Sequence, residues 1–275
     1  MLGIEGLSTA NLVTIVISMF VIAGIFSILG RGGGEFYLPI LITYLTIPYF
    51  DIATVSLFAI FLQAAGMLLI YGSKHKLVDW PLAISLAAIV GIFAFIGGYL
   101  SFGMNPSYLK GTFAVLLLIS AYFMWKGKGV PGKPGRYGVW HRTMVTPEGK
   151  IEYNMNFLLI IMPTAIIAMI AGAVGISGCG MIIPICIILG AVPIRIAIGS
   201  NALLLLTSTG TSFLGHALRG QTPWELAAIL ALATLCGGLI GARIHVKINE
   251  KAIKYAFIAI LIIASFWMLY KIYAK

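Results

Sequence analysis

Two glycine-rich segments of the chain carry the residue types that suit binding of a small anion. The first reads Gly30-Arg-Gly-Gly-Gly-Glu-Phe-Tyr-Leu-Pro39, and the second, at an offset of 145 residues, reads Gly175-Ile-Ser-Gly-Cys-Gly-Met-Ile-Ile-Pro184. A glycine run leading into a helix leaves backbone N–H groups unpaired at the positive end of the helix dipole, where anions bind. We therefore predict one substrate-binding site between the segments, formed by Arg31, Gly32, Gly33, Gly34, Ser177, Gly178, Cys179 and Gly180. The alternative is that these glycines only let helices pack closely.

Arg31 is the residue in these segments best suited to hold a negative charge. Its planar guanidinium can donate paired hydrogen bonds to the oxygens of an oxyanion. An arginine inside a membrane segment is costly enough to suggest a function. Glu35 lies four residues further on. It is either the structural ion-pair partner of Arg31 or a carboxylate that couples the site to protons.

Polar residues follow a second proline in each half, Pro48 and Pro193, which lies nine residues after each glycine segment ends. Ser200 and Asn201 lie early in the apolar stretch after Pro193, and Ser56 is the first-half equivalent of Asn201. Their hydroxyl and amide groups could donate hydrogen bonds to the same anion, or they could only join neighbouring helices. Gln63 and Ser208 form a second equivalent pair, with a weaker claim to the site.

Cys179 lies between two glycines of the second segment. Its thiol could react with sulfur anions or sense the redox state. Buried cysteine is otherwise a small apolar filler. The three cysteines show no metal-ligand spacing, so we predict no metal and no cofactor.

The composition requires that membrane-spanning helices position these residues. The chain is 60% hydrophobic and 9% charged, with a mean hydropathy of +1.04, whereas soluble domains contain roughly 25% charged residues. These values exclude a soluble enzyme and a nucleic-acid-binding domain. The net charge of +10 lies mostly in short stretches between apolar runs, as in a polytopic protein of the cell membrane oriented by cytoplasmic Lys and Arg.

Eight apolar stretches are long enough to cross a bilayer, which takes about 20 residues. They are 11–29, 52–72, 80–101, 107–126, 155–174, 197–218, 224–245 and 252–272. Two shorter stretches, 36–47 and 181–192, follow the glycine segments and would reach only about 18 Å as helices. We predict an all-α membrane protein whose short stretches are broken helices, and a first apolar run that is retained rather than cleaved as a signal peptide.

The chain is an internal duplication. Pro48 matches Pro193 at the same offset as the glycine segments, and Lys126 matches Lys271. We predict a first repeat over 1–126, a polar cytoplasmic linker over 127–153 and a second repeat over 154–275, each repeat with four long helices and one short broken helix. Inverted repeats place most basic residues on the linker side, and only Lys110, Arg219, Lys271 and Lys275 on the other. Parallel repeats give a less uneven distribution, so the inverted arrangement is favoured.

The paired glycine motif, with the later segment Ala197-Ile-Gly-Ser-Asn-Ala-Leu203, resembles the sulfite exporter TauE/SafE family over nearly the whole chain. The resemblance implies a permease for sulfur-containing or organic anions such as sulfite, thiosulfate, sulfonates or sulfoacetate. It also implies that the glycine segments line the pathway. Arg31 and Glu35 occupy positions that are commonly apolar in the family, and Ser177 and Cys179 replace glycines.

Two other functions stay open from the sequence. A passive anion channel is one, because nothing in the residues fixes ion coupling. The other is an intramembrane serine protease of the rhomboid type, since Gly175-Ile-Ser-Gly178 matches its short motif. His216 or His245 would then have to act as the base within about 3 Å of Ser177. The predicted partners are a small anion and the lipid bilayer, with a homodimer left open and no nucleic acid.

Overall fold

The computed structural model describes residues 8–101, 105–126, 138–147, 149–175, 178–218, 222–245 and 247–273. The first half contains helices α1 (Thr9–Ile28), α2 (Gly34–Tyr44), α3 (Tyr49–Leu69, extended by a π-helical turn Ile70–Lys74), α4 (Trp80–Leu100) and α5 (Pro106–Lys126). The second half contains α6 (Phe157–Val174), α7 (Cys179–Ile188), α8 (Ile194–Ala217), α9 (Trp224–His245) and α10 (Glu250–Tyr273). Within the described residues, six helices are long and apolar enough to span a membrane: α1, α3, α4, α6, α8 and α9. The predicted all-α polytopic fold, with four long helices and one short helix in each half, is confirmed.

Proline residues set the ends of several helices more sharply than hydropathy does. Pro48 and Pro193 are the N-caps of α3 and α8, so both helices begin three residues before the predicted starts at 52 and 197. Proline suits a helix start because it lacks an N–H and its φ angle is already helical. The short helices α2 and α7 have 11 and 10 residues, which gives a length of about 15–17 Å.

The two halves are interlocked rather than side by side. Helix α4 of the first half packs against α6 and α8 of the second, and α9 packs against α1 and α3 of the first. Glycines make these crossings close: a Cβ on Gly237 would collide with the Phe20 carbonyl, and one on Gly172 with the Ala94 carbonyl. Small residues of this kind let membrane helices approach backbone to backbone.

Equivalent residues of the two halves make equivalent contacts. Tyr71 donates a hydrogen bond to the Ser27 carbonyl at 2.5 Å, and His216 Nε2 lies 3.0 Å from the Gly172 carbonyl. Both members of the second pair follow those of the first by the same offset of 145 residues. The duplication in the sequence is thus also present in the packing.

The central pair, α3 and α8, are equivalent helices that run antiparallel to each other. The rings of Phe50 and His216 stack with centroids 4.4 Å apart, and those of Phe58 and Phe213 lie 5.2 Å apart. Further along, a Cβ on Gly210 would meet the Phe61 ring at 2.9 Å. As the residue number rises on α3 it falls on α8, which defines the relative direction of the two helices.

The segment between the halves contains a β-hairpin that the sequence analysis did not predict. Strand β1 (Val139–Thr146) pairs antiparallel with β2 (Gly149–Asn156), from Val139 opposite Asn156 to Thr146 opposite Gly149. Residues 127–137 of the predicted linker lie outside the described part. The available signal was an alternation of polar and apolar residues flanking the Pro-Glu-Gly sequence at 147–149, which is typical of a hairpin. High polarity led to its assignment as linker.

Candidate functional site

Arg31 is buried in the centre of the protein together with Glu35. The exposed fractions of their side chains are 0% and 2%, and Arg31 Nη2 donates a hydrogen bond to Glu35 Oε1 across one turn. The guanidinium also lies over the Phe257 ring, with Cζ 4.8 Å from the ring centroid, and 5.8 Å from that of Phe26. Among the described residues, Arg31 Nε and Nη1 have no hydrogen-bond partner. The ion pair therefore uses only part of the donor capacity of Arg31.

The Arg31 side chain connects the two glycine segments. A Cβ on Gly180 would lie 2.6 Å from Arg31 Nε and Nη2, and 2.8 Å from Cζ. The absence of a side chain at Gly180 thus makes the room that the guanidinium occupies. The predicted meeting of the two segments is present, with the arginine of one facing the glycine backbone of the other.

The other glycines of the segments have different surroundings. Gly33 is the N-cap of α2 in the left-handed conformation, with φ +70°, which favours glycine. A Cβ on Gly178 would meet Ala171 Cβ at 2.7 Å and the Ile167 carbonyl oxygen at 3.0 Å. Gly178 therefore provides close packing against α6, the alternative that the sequence left open. Gly32 and Gly34, which follow Arg31 in the same segment, are buried. Ser177 lies outside the described residues.

Asn201 joins the second half to the first glycine segment. Its amide Nδ2 donates a hydrogen bond to the Gly30 carbonyl at 2.7 Å. A carbonyl can only accept, so this bond fixes the orientation of the amide. Its Oδ1 is left as an acceptor, with no partner in the part of the chain that the structure describes. The equivalent residue Ser56 is fully buried, and its Oγ also has no partner among the residues that the structure describes.

Ser200 points to a different neighbour. Its Oγ accepts a hydrogen bond from the Asp79 backbone N–H at 2.9 Å. This contact ties Ser200 to the loop between α3 and α4 and does not place it beside Arg31.

Gln63 binds the first glycine segment through several hydrogen bonds. The sequence indicated it only weakly as a site residue. Its Nε2 donates to Ser27 Oγ at 2.8 Å and to the Arg31 carbonyl at 3.2 Å, while Oε1 accepts from the Tyr37 hydroxyl at 2.8 Å. Tyr37 and Phe257 were not identified as site residues. Tyr37 lies inside the first motif, which is a usable signal, but nothing in the sequence links Phe257 to Arg31.

Cys179 begins α7 and is fully buried. In the part of the chain that the structure describes, no group of His, Cys, Asp and Glu residues is arranged to hold a metal ion.

Comparison with known proteins identifies the family. A family model described as "Sulfite exporter TauE/SafE" matches residues 15–268. The chain belongs to the TauE/SafE family. The resemblance inferred from the glycine motifs is confirmed. No solved structure matches the chain.

Relatives of this TauE/SafE protein cover almost its full length. It is 26% identical over 268 residues to "Probable membrane transporter protein YunE" of Bacillus subtilis (strain 168), covering 94% of this chain and 97% of that protein. It is 27% identical over 271 residues to "Probable membrane transporter protein MJ0441" of Methanocaldococcus jannaschii, covering 93% and 94%.

The TauE/SafE protein is therefore a multi-pass membrane transporter and not an enzyme. This excludes the intramembrane protease. The two histidines proposed for that activity have structural contacts instead: His216 with the Gly172 carbonyl, and His245 Nδ1 with the Ile28 carbonyl at 2.6 Å.

Proposed function

We propose that this transporter moves small sulfur-containing or organic anions of the sulfite, thiosulfate and sulfonate or sulfoacetate type. The anion is bound between the two glycine segments near the membrane midplane. The observation that carries the proposal is the Arg31 guanidinium, which is fully buried and lies against Gly180. Two of its nitrogen atoms have no partner among the described residues.

The hydrogen-bond inventory of Arg31 supports an anionic ligand. A buried donor without a partner costs about 1–3 kcal/mol, and more for charged groups. Arg31 has two such nitrogens beside a single hydrogen bond to Glu35. An oxyanion would supply the missing acceptors, and the planar guanidinium matches its oxygens in geometry.

Further unpartnered groups extend the proposed ligand set. Ser56 Oγ and Asn201 Oδ1 are buried without partners, and both residues lie at equivalent positions of the two halves. We propose that they contact the substrate, with Ser200 and Cys179 at its edge. Glu35 is proposed to carry the coupling proton, because its charge competes with the substrate for Arg31.

We also propose that the two halves are inverted relative to the membrane. Two equivalent helices that pack antiparallel, as α3 and α8 do, are related by an axis perpendicular to their length. Such an axis lies in the membrane plane when the helices span it. Inverted repeats with broken helices are the arrangement in which a central site is exposed alternately to each side.

The experiment is anion binding and counterflow with purified protein. Sulfite, thiosulfate, sulfate, taurine, sulfoacetate and simple carboxylates are compared by thermal shift. The best binder is then tested in proteoliposomes with Arg31→Gln, Arg31→Lys and the exposed control Lys150→Gln. We expect Arg31→Gln to weaken binding by more than roughly tenfold, about 1.4 kcal/mol, and Arg31→Lys to recover part of it.

Counterflow separates the proposed carrier from a passive channel. With the membrane potential clamped by equal K⁺ on both sides and valinomycin, unlabelled anion inside the vesicles should accelerate uptake of labelled anion through a carrier, whereas a channel shows no such acceleration. Unchanged binding in Arg31→Gln would falsify the assigned role of Arg31.

A further inference from the structure

The β-hairpin between the halves is joined to the membrane helices by an ion pair between the half-buried Arg142 and the buried carboxylate of Asp79. Arg142 on β1 donates two hydrogen bonds to Asp79, from Nε to Oδ2 at 2.9 Å and from Nη2 to Oδ1 at 2.7 Å. Tyr153 on β2 donates a third, to Oδ2 at 2.6 Å. Asp79 is 1% exposed and is also the N-cap of α4. Both strands thus converge on one carboxylate, and bidentate pairs of this kind are the strong ones.

The loop that carries Asp79 covers the start of α8. The Asp79 N–H donates a hydrogen bond to Ser200 Oγ at 2.9 Å. A Cβ on Gly199 would lie only 2.5 Å from the Leu77 carbonyl oxygen, so the loop packs closely against α8 here. Asn201, which follows Ser200 in α8, donates a hydrogen bond to the Gly30 carbonyl of the first glycine segment. The loop at 75–79 therefore lies directly above one flank of the proposed site.

The hairpin also contacts the loop that connects α7 to α8. The Asn156 N–H, at the end of β2, donates to the Gly190 carbonyl at 3.2 Å. Gly190 belongs to the connection between α7 and α8 in the second half. One hairpin thus bridges a loop of the first half and a loop of the second.

Both bridged loops contain a strained residue. Lys76 has φ +50° and Ala191 has φ +56°, a left-handed conformation that is unfavourable for residues with a side chain. Such conformations persist only where the surrounding structure holds them, and they are common at switch regions. The contacts of the hairpin with these two loops help to stabilise the left-handed conformations of Lys76 and Ala191.

Within the described residues, an ion pair that joins the hairpin to the helices is found only at Asp79. At the offset of 145 residues, the position of Asp79 corresponds to Trp224, which has no carboxylate. The two sides of the duplicated fold therefore differ at this point.

We propose that Asp79, Arg142 and Tyr153 form a latch that holds the site closed on the linker side. This regulation rests on the proposed function, because it acts on access to the site assigned there. Arg142 and Tyr153 are positioning residues: they act through the loop at 75–79 and not on the anion. Release of the latch frees that loop from α8 and exposes the glycine segments to the linker side.

The test measures access to Cys179, which lies in the second glycine segment and is fully buried. Cys186→Ala and Cys236→Ala leave it as the only thiol. A membrane-impermeant trimethylammonium thiosulfonate reagent is added to one side of sealed vesicles of each orientation. The variants are Arg142→Gln and Tyr153→Phe, which leave Asp79 and the α4 cap unchanged. Glu152→Gln is the matched control, since it removes the exposed hairpin ion pair of Lys150 and Glu152.

We expect Arg142→Gln to raise the labelling rate from the linker side by about tenfold or more, and Tyr153→Phe by a smaller factor. Glu152→Gln should match the parent, and labelling from the opposite side should not rise. Equal rates in all variants, or an equal rise from both sides, would overturn the latch. If Arg142→Gln does not fold, Tyr153→Phe decides alone. The cationic reagent reports access and not anion binding, so absence of anion transport in the parent protein would count against the proposed function without affecting this result.

Discussion

The Arg31 guanidinium occupies the space left by the missing side chain of Gly180. A Cβ on that glycine would lie 2.6 Å from two of the three guanidinium nitrogens, which is inside van der Waals contact. Arg31 precedes the first short helix and Gly180 lies in the first turn of the second. This single contact joins the two halves at the place where the anion is proposed to bind.

Gly180→Ala should displace Arg31 and weaken anion binding by at least roughly tenfold. The added methyl group forces the guanidinium away, and overpacking of this kind costs about 1–3 kcal/mol of stability. Gly24→Ala is the control, because its Cβ would have only the Gly237 carbonyl nearby, at 3.8 Å. Thermal shift with and without anion measures both effects. Normal anion binding in Gly180→Ala would show that this contact is not part of the site.

Glu35→Gln should destabilise the anion-free protein but retain or tighten anion binding. Breaking a buried ion pair costs about 3–5 kcal/mol because one charge stays unpaired. A bound anion then replaces the lost carboxylate, so the anion-induced rise in Tm should exceed that of the parent. If the variant is destabilised and no anion restores it, Arg31 is only a structural partner of Glu35.

Asn201→Ala and Ser56→Ala should separate structural from binding roles at equivalent positions. Asn201→Ala removes the hydrogen bond to the Gly30 carbonyl, and leaving a buried acceptor unpaired costs about 1–3 kcal/mol. Ser56→Ala removes a hydroxyl oxygen without a partner, so Tm should change little. Both should weaken anion binding, as measured by titration. If Ser56→Ala lowered Tm as much as Asn201→Ala does, the assignment of Ser56 to binding rather than to stability would be contradicted.

Docking of the hairpin should be insensitive to pH above about 5 and weaken only in acid. Burial alone would raise the pKa of Asp79, but the hydrogen bonds from Arg142 and Tyr153 and the Arg142 charge outweigh it and hold that pKa below its usual value. A carboxyl group with a lowered pKa stabilises docking fully above its ordinary pKa of about 3.9, and this contribution is lost as the pH falls through the lowered value.

Hydrogen exchange of the hairpin peptides as a function of pH measures this docking. Asp79→Asn keeps an N-cap residue and should show rapid exchange at every pH. Loosening of the parent hairpin at neutral pH would contradict the assignment of docking to the Asp79 carboxylate.

The inverted arrangement predicts that the first helix begins on the side opposite to the hairpin. Single cysteines at Ser8 and Lys150, both exposed, are labelled with an impermeant reagent in a protein that lacks the native cysteines. We expect labelling from opposite faces of the membrane. Labelling of both from the same face would support parallel repeats.

The sequence alone predicted the helical membrane fold and the internal duplication. Spans of about 20 apolar residues are dictated by bilayer thickness, and the offset of 145 residues between the glycine segments is visible in the sequence. Arg31 and Glu35 were identified because charged residues in such a segment are rare and costly. These inferences depend on local composition and spacing, which the chain carries without reference to its tertiary structure.

Only the tertiary structure shows which glycine faces which neighbour. Gly178 and Gly180 are two positions apart, yet one packs against α6 and the other against Arg31, because successive helical positions point about 100° apart around the axis. Phe257 over the guanidinium and Arg142 on Asp79 are likewise contacts between distant segments. Each depends on how two helices, or a helix and a hairpin, are placed relative to one another. Spacing along a single chain does not contain that information.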